Sequence, residues 1–265
     1  MSKTTGTALI TGASSGIGAV YADRLAQRGY DLVLVARDVA RMQALAERLR
    51  HETGVVIEII PADLTADGDV AKVEQRLAAG DITLLLNNAG MSLDGSVLEN
   101  GPVELSRIIA LNVTAPTRLA AAAAKAFVAK GGGAIVNIAS VLALAPEMFD
   151  GVYSGTKAFL LNLSQALTAQ LSDKGVYTQA VLPGATRTEI WERSGKDVDA
   201  FPEGFVMDVD DLVDAALVGF DRREAVTIPP LPDESQFAAM QQARLAMGPN
   251  LSKSAVADRY AKVAA

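Results

Sequence analysis

Thr7-Ala8-Leu9-Ile10-Thr11-Gly12-Ala13-Ser14-Ser15-Gly16-Ile17-Gly18 is the stretch whose reading decides the fold. Its first four residues form a short β-prone run, and an amphipathic helical segment follows from about Ile17 to Gly29. Three glycines at the junction permit positive φ, close approach of the backbone to a bound group, and tight helix–strand packing. The helix start adds free N–H groups and a partial positive charge, which makes the turn a phosphate cradle. The spacing is Gly-x-x-x-Gly-x-Gly, different from the Gly-x-Gly-x-x-Gly of many dinucleotide folds.

Working outward, apolar runs recur at Asp31–Val35, Val55–Ile60, Ile82–Leu86, Ala134–Ala139, Val176–Leu182 and Ala225–Ile228. They are continuous instead of alternating, as strands buried on both faces require. Helical segments separate them: Asp38–His51, Asp67–Ala79, Pro102–Lys130, Thr156–Lys174 and Asp210–Asp221. Pro102–Lys130 reads as two helices or as one kinked near Pro116. This alternation predicts a doubly wound, Rossmann-like parallel sheet of about seven strands, with helices on both faces and right-handed crossovers. One domain is expected over residues 1–265, with an irregular insertion at 189–209 forming a substrate lid and a less regular tail from 232 to 265.

Composition narrows the chemistry. The 265 residues are 50% hydrophobic with a net charge of -7, which argues against phosphate-backbone binding and so against a nucleic-acid partner. No apolar run reaches membrane-spanning length and no signal-peptide pattern opens the chain, so a cytoplasmic protein without membrane association is expected. Cysteine is absent, which removes disulfides, thiolate catalysis and Cys-ligated metals; no metal site is expected. The single histidine, His51, lies in a polar stretch ending at Gly54 and reads as a solvated loop or helix-end residue. Without a Gly-x-Ser-x-Gly elbow it does not make a hydrolase triad. Acid–base work therefore falls to Tyr, Lys, Asp or Glu.

Tyr153-Ser154-Gly155-Thr156-Lys157 offers such a device, thirteen residues after Ser140. On a helix the phenol and the ammonium share one face. A nearby ammonium favours the phenolate and lowers a pKa ordinarily about 10, so the pair can move a proton at a carbonyl or alcohol oxygen near neutral pH.

With the glycine turn, Tyr-x-x-x-Lys and the intervening Asn87-Asn88-Ala89-Gly90, the chain resembles the short-chain dehydrogenase/reductase family over roughly residues 5–230. The resemblance implies an NAD(P)-dependent oxidoreductase acting on CH–OH groups. It assigns Tyr153 as acid–base, Ser140 as the hydroxyl that orients the carbonyl, and Lys157 as the ribose contact that lowers the tyrosine pKa. Asn112 would hold a water in the proton relay. For the dinucleotide it implies the turn residues Gly12, Ser14, Ser15, Gly16, Ile17 and Gly18, then Asp63 and Leu64 at the adenine. Asn88, Ala89 and Gly90 would lie along the ribose side. Pro183, Gly184, Thr186 and Thr188 would line the nicotinamide carboxamide. Asp63 also suits a turn or helix cap before Thr65, and the asparagines also suit tying strand ends to loops.

The position at which the family selects NAD with a carboxylate falls on Ala36. Arg37 can instead pair with a 2′-phosphate and lie against adenine, with Ser14 donating to the same phosphate. NADP(H) is therefore favoured over NAD(H), with Asp38 as the residue pulling the other way. The substrate is expected to be a neutral, moderately apolar small molecule, a ketone, an aldehyde or a secondary alcohol. It would lie near Gly95 and against Leu142, Leu144, Met148, Phe149, Ile190, Trp191, Phe201 and Phe205. Glu147, Asp150, Glu189 and Glu192 give that region an acidic bias, with Arg187 and Arg193 nearby. Two other readings stand beside this one: a nucleotide-binding sensor or scaffold without turnover, and an isomerase or epimerase using the dinucleotide transiently. A homodimer or homotetramer is implied by the resemblance.

Overall fold

The computed structural model describes residues 5–95, 97–149, 151–195 and 197–260, the side chain of Arg193 excepted. The chain divides into two compact units, Met1–Pro230 and Leu231–Ala265. In the first, the strands are β1 (Gly6–Thr11), β2 (Tyr30–Ala36), β3 (Ile57–Pro61), β4 (Ile82–Asn87), β5 (Gly133–Ile138), β6 (Val176–Val181) and β7 (Val226–Thr227). They form one parallel sheet in the order β3-β2-β1-β4-β5-β6-β7, the predicted doubly wound arrangement. Winding reverses between β1 and β4, so a crevice opens beyond the carboxyl ends of those strands.

Eight helices of this unit are described: α1 (Gly16–Gln27), α2 (Val39–Thr53), α3 (Asp67–Ala78), α4 (Pro102–Ile109), α5 (Ala115–Lys130), α6 (Gly151–Leu171), α7 (Ile190–Arg193) and α8 (Val209–Asp221). Alternate residues of each strand feed two cores. Ala8, Ile10, Leu32 and Leu34 pack with Tyr21 and Leu25 of α1, Met42 and Leu49 of α2, and Val213 and Leu217 of α8. Leu9, Val33, Val35 and Leu85 pack with Val73 and Leu77 of α3 and with Leu119, Ala123 and Phe127 of α5. Each such aliphatic side chain stabilises by roughly 1.5–3 kcal/mol, and the two-sided burial explains the unbroken apolar runs.

Local chemistry sets the boundaries that matter. The Asp38 carboxylate caps α2, accepting the Arg41 backbone N–H at 3.0 Å. His51 lies exposed in the last turn of that helix. The Pro102–Lys130 stretch is two helices joined by a π-helical turn, Ala110–Thr114, with Pro116 in the first turn of α5. Proline has no N–H to give the carbonyl four residues back, which belongs to Asn112, so the α-helical ladder breaks there. The expected start of α6 at Thr156 is corrected to Gly151, which places Tyr153 within the helix. Gly151 and Gly155 depress local propensity, but packing on β6 overrides it. The insertion is more ordered than expected: α7 and a 3₁₀ turn, Val198–Ala200, lie within it. Its end returns to its start through a parallel bridge between Thr186 and Met207. The second unit contains α9 (Glu234–Ala246). No helix among the described residues is long and apolar enough to cross a membrane.

Candidate active site

A cleft of about 920 Å³ lies along the carboxyl edge of the sheet. The glycine turn that leaves β1 forms one wall. A Cβ on Gly12 (φ +66°) would come within 2.7 Å of the Asn88 side-chain amide and 2.9 Å of Ala89 Cα. A Cβ on Gly18 would collide with the Gly12 carbonyl oxygen. These two glycines let the turn press against the end of β4. The far side of that contact is a hydrogen-bonded knot. Thr11 Oγ1 accepts the N–H groups of Asn88 and Ala89, each at 3.0 Å, while Asn88 Nδ2 donates to the carbonyls of Thr11 at 2.9 Å and Gly12 at 3.2 Å. Asn88 thus ties two strand ends together and lines the cleft as well.

Ser14, Ser15, Gly16 and Ile17 face the cleft, whereas Gly18 lies behind them as a packing residue. Ala36 ends β2 without a carboxylate, and Arg37 stands exposed on the rim. Asp38 also reaches the rim, but its side chain is engaged as the α2 cap and in an ion pair with Arg41 at 3.4 Å. Asp63 takes the expected turn role and stands on the cleft wall. It lines the cleft, and its Oδ1 accepts the Thr65 backbone N–H at 3.0 Å and the Thr65 hydroxyl at 2.8 Å. Those bonds hold the Asp63 carboxyl below its ordinary pKa, with Arg37 and Arg107 assisting from a distance. Leu64, Ala89, Gly90, Pro183, Gly184, Thr186 and Thr188 line the cleft. Arg107 lines it too and escaped the sequence reading, because nothing in its own neighbourhood marks which face of α4 turns toward the sheet.

The acid–base group is assembled from β5 and α6. The Ser140 hydroxyl hydrogen-bonds the Tyr153 phenol and also accepts the Leu142 backbone N–H at 3.1 Å. Lys157 is buried, donates to the Ile138 carbonyl at 2.9 Å, and lies 5.5 Å from the centre of the Tyr153 ring. Here the expected depression of the phenol is corrected. Burial pushes Tyr153 up to about 12, and the bond to Ser140 only partly opposes it. The same burial pulls Lys157 down to about 8. Desolvation of the charged form is the largest cause of both shifts.

Asn112 does not line the cleft. It is buried in the π turn, where its Oδ1 accepts the Met91 N–H at 2.9 Å and its Nδ2 donates to the Met91 carbonyl at 2.8 Å and to Thr156 Oγ1 at 3.1 Å. A Cβ on Gly90 would fall 3.4 Å from Asn112 Oδ1 and 3.5 Å from Lys157 Nζ, so Gly90 separates the two side chains.

Beyond the tyrosine runs a row of rings. Phe149 meets Tyr153 edge-on at 5.9 Å and Trp191 at 6.4 Å; Trp191 meets Phe201 at 5.0 Å, and Phe201 stacks on Phe205 at 5.4 Å. Leu142, Met148 and Ile190 complete this apolar end. Leu144 does not belong to it, because it packs against the core of Ala139 and Leu161. Gly95 lies outside the lining residues, although its neighbour Asp94 approaches Gly195 of the insertion. Of the four acidic residues expected around the substrate, Glu189 faces the cleft, Glu147 and Glu192 do not line it, and Asp150 lies outside the described residues, as does the Arg193 side chain. Arg187 is paired with Asp199 at 2.8 Å. Trp191 also donates its indole N–H to the Thr186 carbonyl at 2.7 Å, anchoring the insertion to the segment after β6.

The cradle, the polar strand ends and the elongated apolar-ended cleft fit a dinucleotide with a small molecule beyond it. Residues 6–199 match the model of the short chain dehydrogenases. A short-chain dehydrogenase from Sphingobium yanoikuyae, solved in complex with NADPH, is 56% identical over 96% of this chain and 99% of that one, with a TM-score of 0.94. A Comamonas testosteroni alcohol dehydrogenase described as specific for bulky-bulky ketones is 50% identical over 98% of this chain and all of that one, with a TM-score of 0.91. The human 17-beta-hydroxysteroid dehydrogenase type 3 is 36% identical over 183 residues, which are 68% of this chain and 59% of that protein. Sheet order, the polar groups at the strand ends and these likenesses agree, although the chain spans only about three fifths of the human enzyme's length: the chain belongs to the short-chain dehydrogenase/reductase family.

Proposed function

We propose that this protein is an NADP(H)-dependent carbonyl reductase or alcohol dehydrogenase for ketones with large apolar substituents. The observation carrying the reading is the Ser140–Tyr153 hydrogen bond at the apolar end of the cleft, backed by a buried lysine. A bound dinucleotide would supply or accept hydride. Ser14 to Ile17 would hold its pyrophosphate, Thr186 and Thr188 its carboxamide, and Lys157 its ribose hydroxyls. Ser140 and Tyr153 would then grip one substrate oxygen together, with Tyr153 giving or taking the proton at that atom. Charge arriving on the oxygen and a ribose bridging to Lys157 would pull the phenol down from about 12. Asn112 acts one layer back, fixing the Met91 loop and the π turn beside Lys157.

For the cofactor, the exposed Arg37 and the missing carboxylate at Ala36 favour a 2′-phosphate, and the Sphingobium relative is in complex with NADPH. The chain from Phe149 through Phe205 presents ring faces and edges to a substrate, and the Comamonas relative is specific for bulky-bulky ketones. A binding-only sensor would have no use for an ammonium buried at the expense of its hydration. A homodimer or homotetramer and a cytoplasmic location complete the reading; light scattering tests the former and fractionation of the native cell the latter.

The decisive test is Tyr153→Phe. Turnover of a diaryl or aryl-alkyl ketone should fall about 10²–10⁴-fold while NADPH binding persists. An unchanged rate would refute the mechanism. A substrate panel that turns over small aliphatic ketones and excludes bulky ones would refute the substrate class.

A further inference from the structure

Arg41 and Glu189 are 148 residues apart in sequence, yet the Arg41 guanidinium meets both oxygens of the Glu189 carboxylate, at 2.6 and 2.7 Å. The pair joins the first turn of α2 to the first residue of the insertion. Between these points lies the glycine turn: a Cβ on Gly16 would be 3.3 Å from Thr188, the residue before Glu189. The pair therefore ties α2 to the insertion beside the glycine turn, and its Glu189 end lines the cleft. Both side chains are partly exposed, 48% and 36%, so the pair contributes little to folding. Its geometry, however, sets up a competition. Side chains in a helix lean toward its N-terminus, and Arg41 does so, reaching within 3.4 Å of Asp38 Oδ2. That is the helix end at which Arg37 stands, and no carboxylate among the described residues pairs with Arg37. Asp38, Glu189 and Glu192 all act on Arg41, so one cation faces three carboxylates.

Taking the NADP(H) reading above as its premise, we propose that Arg41 is exchanged between Glu189 and the 2′-phosphate of an arriving dinucleotide. The phosphate, doubly charged and flanked by Arg37, outcompetes the single carboxylate. Binding of NADP(H) then releases the root of the substrate flap, while NAD(H) leaves it strapped. Arg41 and Glu189 are in this way specificity-determining residues for the cofactor, and they couple its identity to the flap.

The test is equilibrium binding of NADPH and of NADH, read by energy transfer from Trp191, the only tryptophan in the sequence and two residues from Glu189. Glu189→Gln should tighten NADPH about two- to fivefold and leave NADH unchanged, because it removes a competitor that only the 2′-phosphate meets. Arg41→Gln should weaken NADPH by a similar factor and spare NADH. In the doubly substituted protein the Glu189→Gln gain should vanish. Equal shifts for both dinucleotides in Glu189→Gln, or a gain that survives in the double variant, would overturn the exchange. Arg37→Ala separates the premise from the proposal. A preference for NADPH that depends on Arg37 but ignores Arg41 refutes the exchange alone; no preference in the unaltered protein refutes the cofactor reading and the exchange with it. Both positions are at the surface, and thermal melts of each variant establish that it is folded.

Discussion

Lys157 is buried with its ammonium on the Ile138 carbonyl, and burial lowers it from 10.5 to about 8. The folded protein therefore gives up that proton earlier than the unfolded chain does, so this group's contribution makes stability rise as pH climbs from about 8 to 10.5. Lys157→Met lacks the rise. Urea unfolding at pH 7 and at pH 10 should show the variant losing ground to the parent as pH increases, and its ketone turnover should be abolished at both values. Glycines test a different property. Gly18→Ala sets a methyl against the Gly12 carbonyl and should cost most of the dinucleotide affinity, measured by tryptophan quenching. Gly155→Ala, in the open on α6 between the tyrosine and the lysine, should add ~0.5–1 kcal/mol of stability in the same denaturation assay. Identity and spacing singled out Ser140, Tyr153 and Lys157, which lie together in the folded chain, because the residue types are written in the sequence. The direction of the tyrosine shift was not, since desolvation depends on what is folded over the ring.

Single elements were legible where periodicity was strong and obscure where one residue redirected the backbone. Strands β1 to β6 followed from apolar runs, and the break near Pro116 from the missing N–H. That the break would be a π turn carrying Asn112 onto the Met91 loop required the packed partner. The start of α6 was missed for a related reason, because two glycines and a serine hide a helix that tertiary contacts enforce. The insertion at 189–209 was read as irregular, yet the Trp191 indole, the Thr186–Met207 bridge and the Arg187–Asp199 pair give it a defined shape. Trp191→Phe keeps the ring packing and deletes only the bond to Thr186. Trypsin should then cut within the insertion several-fold faster than in the parent, while cleavage elsewhere is unaltered.

At the scale of the fold, the predicted doubly wound sheet of the first unit places seven strand ends along one edge and leaves a crevice where the winding reverses. This much was readable because alternation and continuous apolar runs leave few other topologies. The position of Arg107 on the rim was not, since it depends on the rotation of α4. Charge is arranged so that arginines on one helix collect acids from another: Arg24 of α1 meets Asp210 at 2.6 Å and Asp214 at 2.7 Å of α8, and Arg28 meets Asp221 at 2.8 Å. Arg24→Gln should lower stability by about 1 kcal/mol or less, and the difference should shrink in molar salt. The Thr186–Met207 bridge has a consequence for how this protein could diversify. It brings the two ends of the insertion side by side, so the segment between them behaves as a cassette whose doubling in length would add only ~0.6 kcal/mol of closure entropy. New selectivity can be grafted between those two residues while Ser140, Tyr153 and Lys157, built on β5 and α6, keep their geometry.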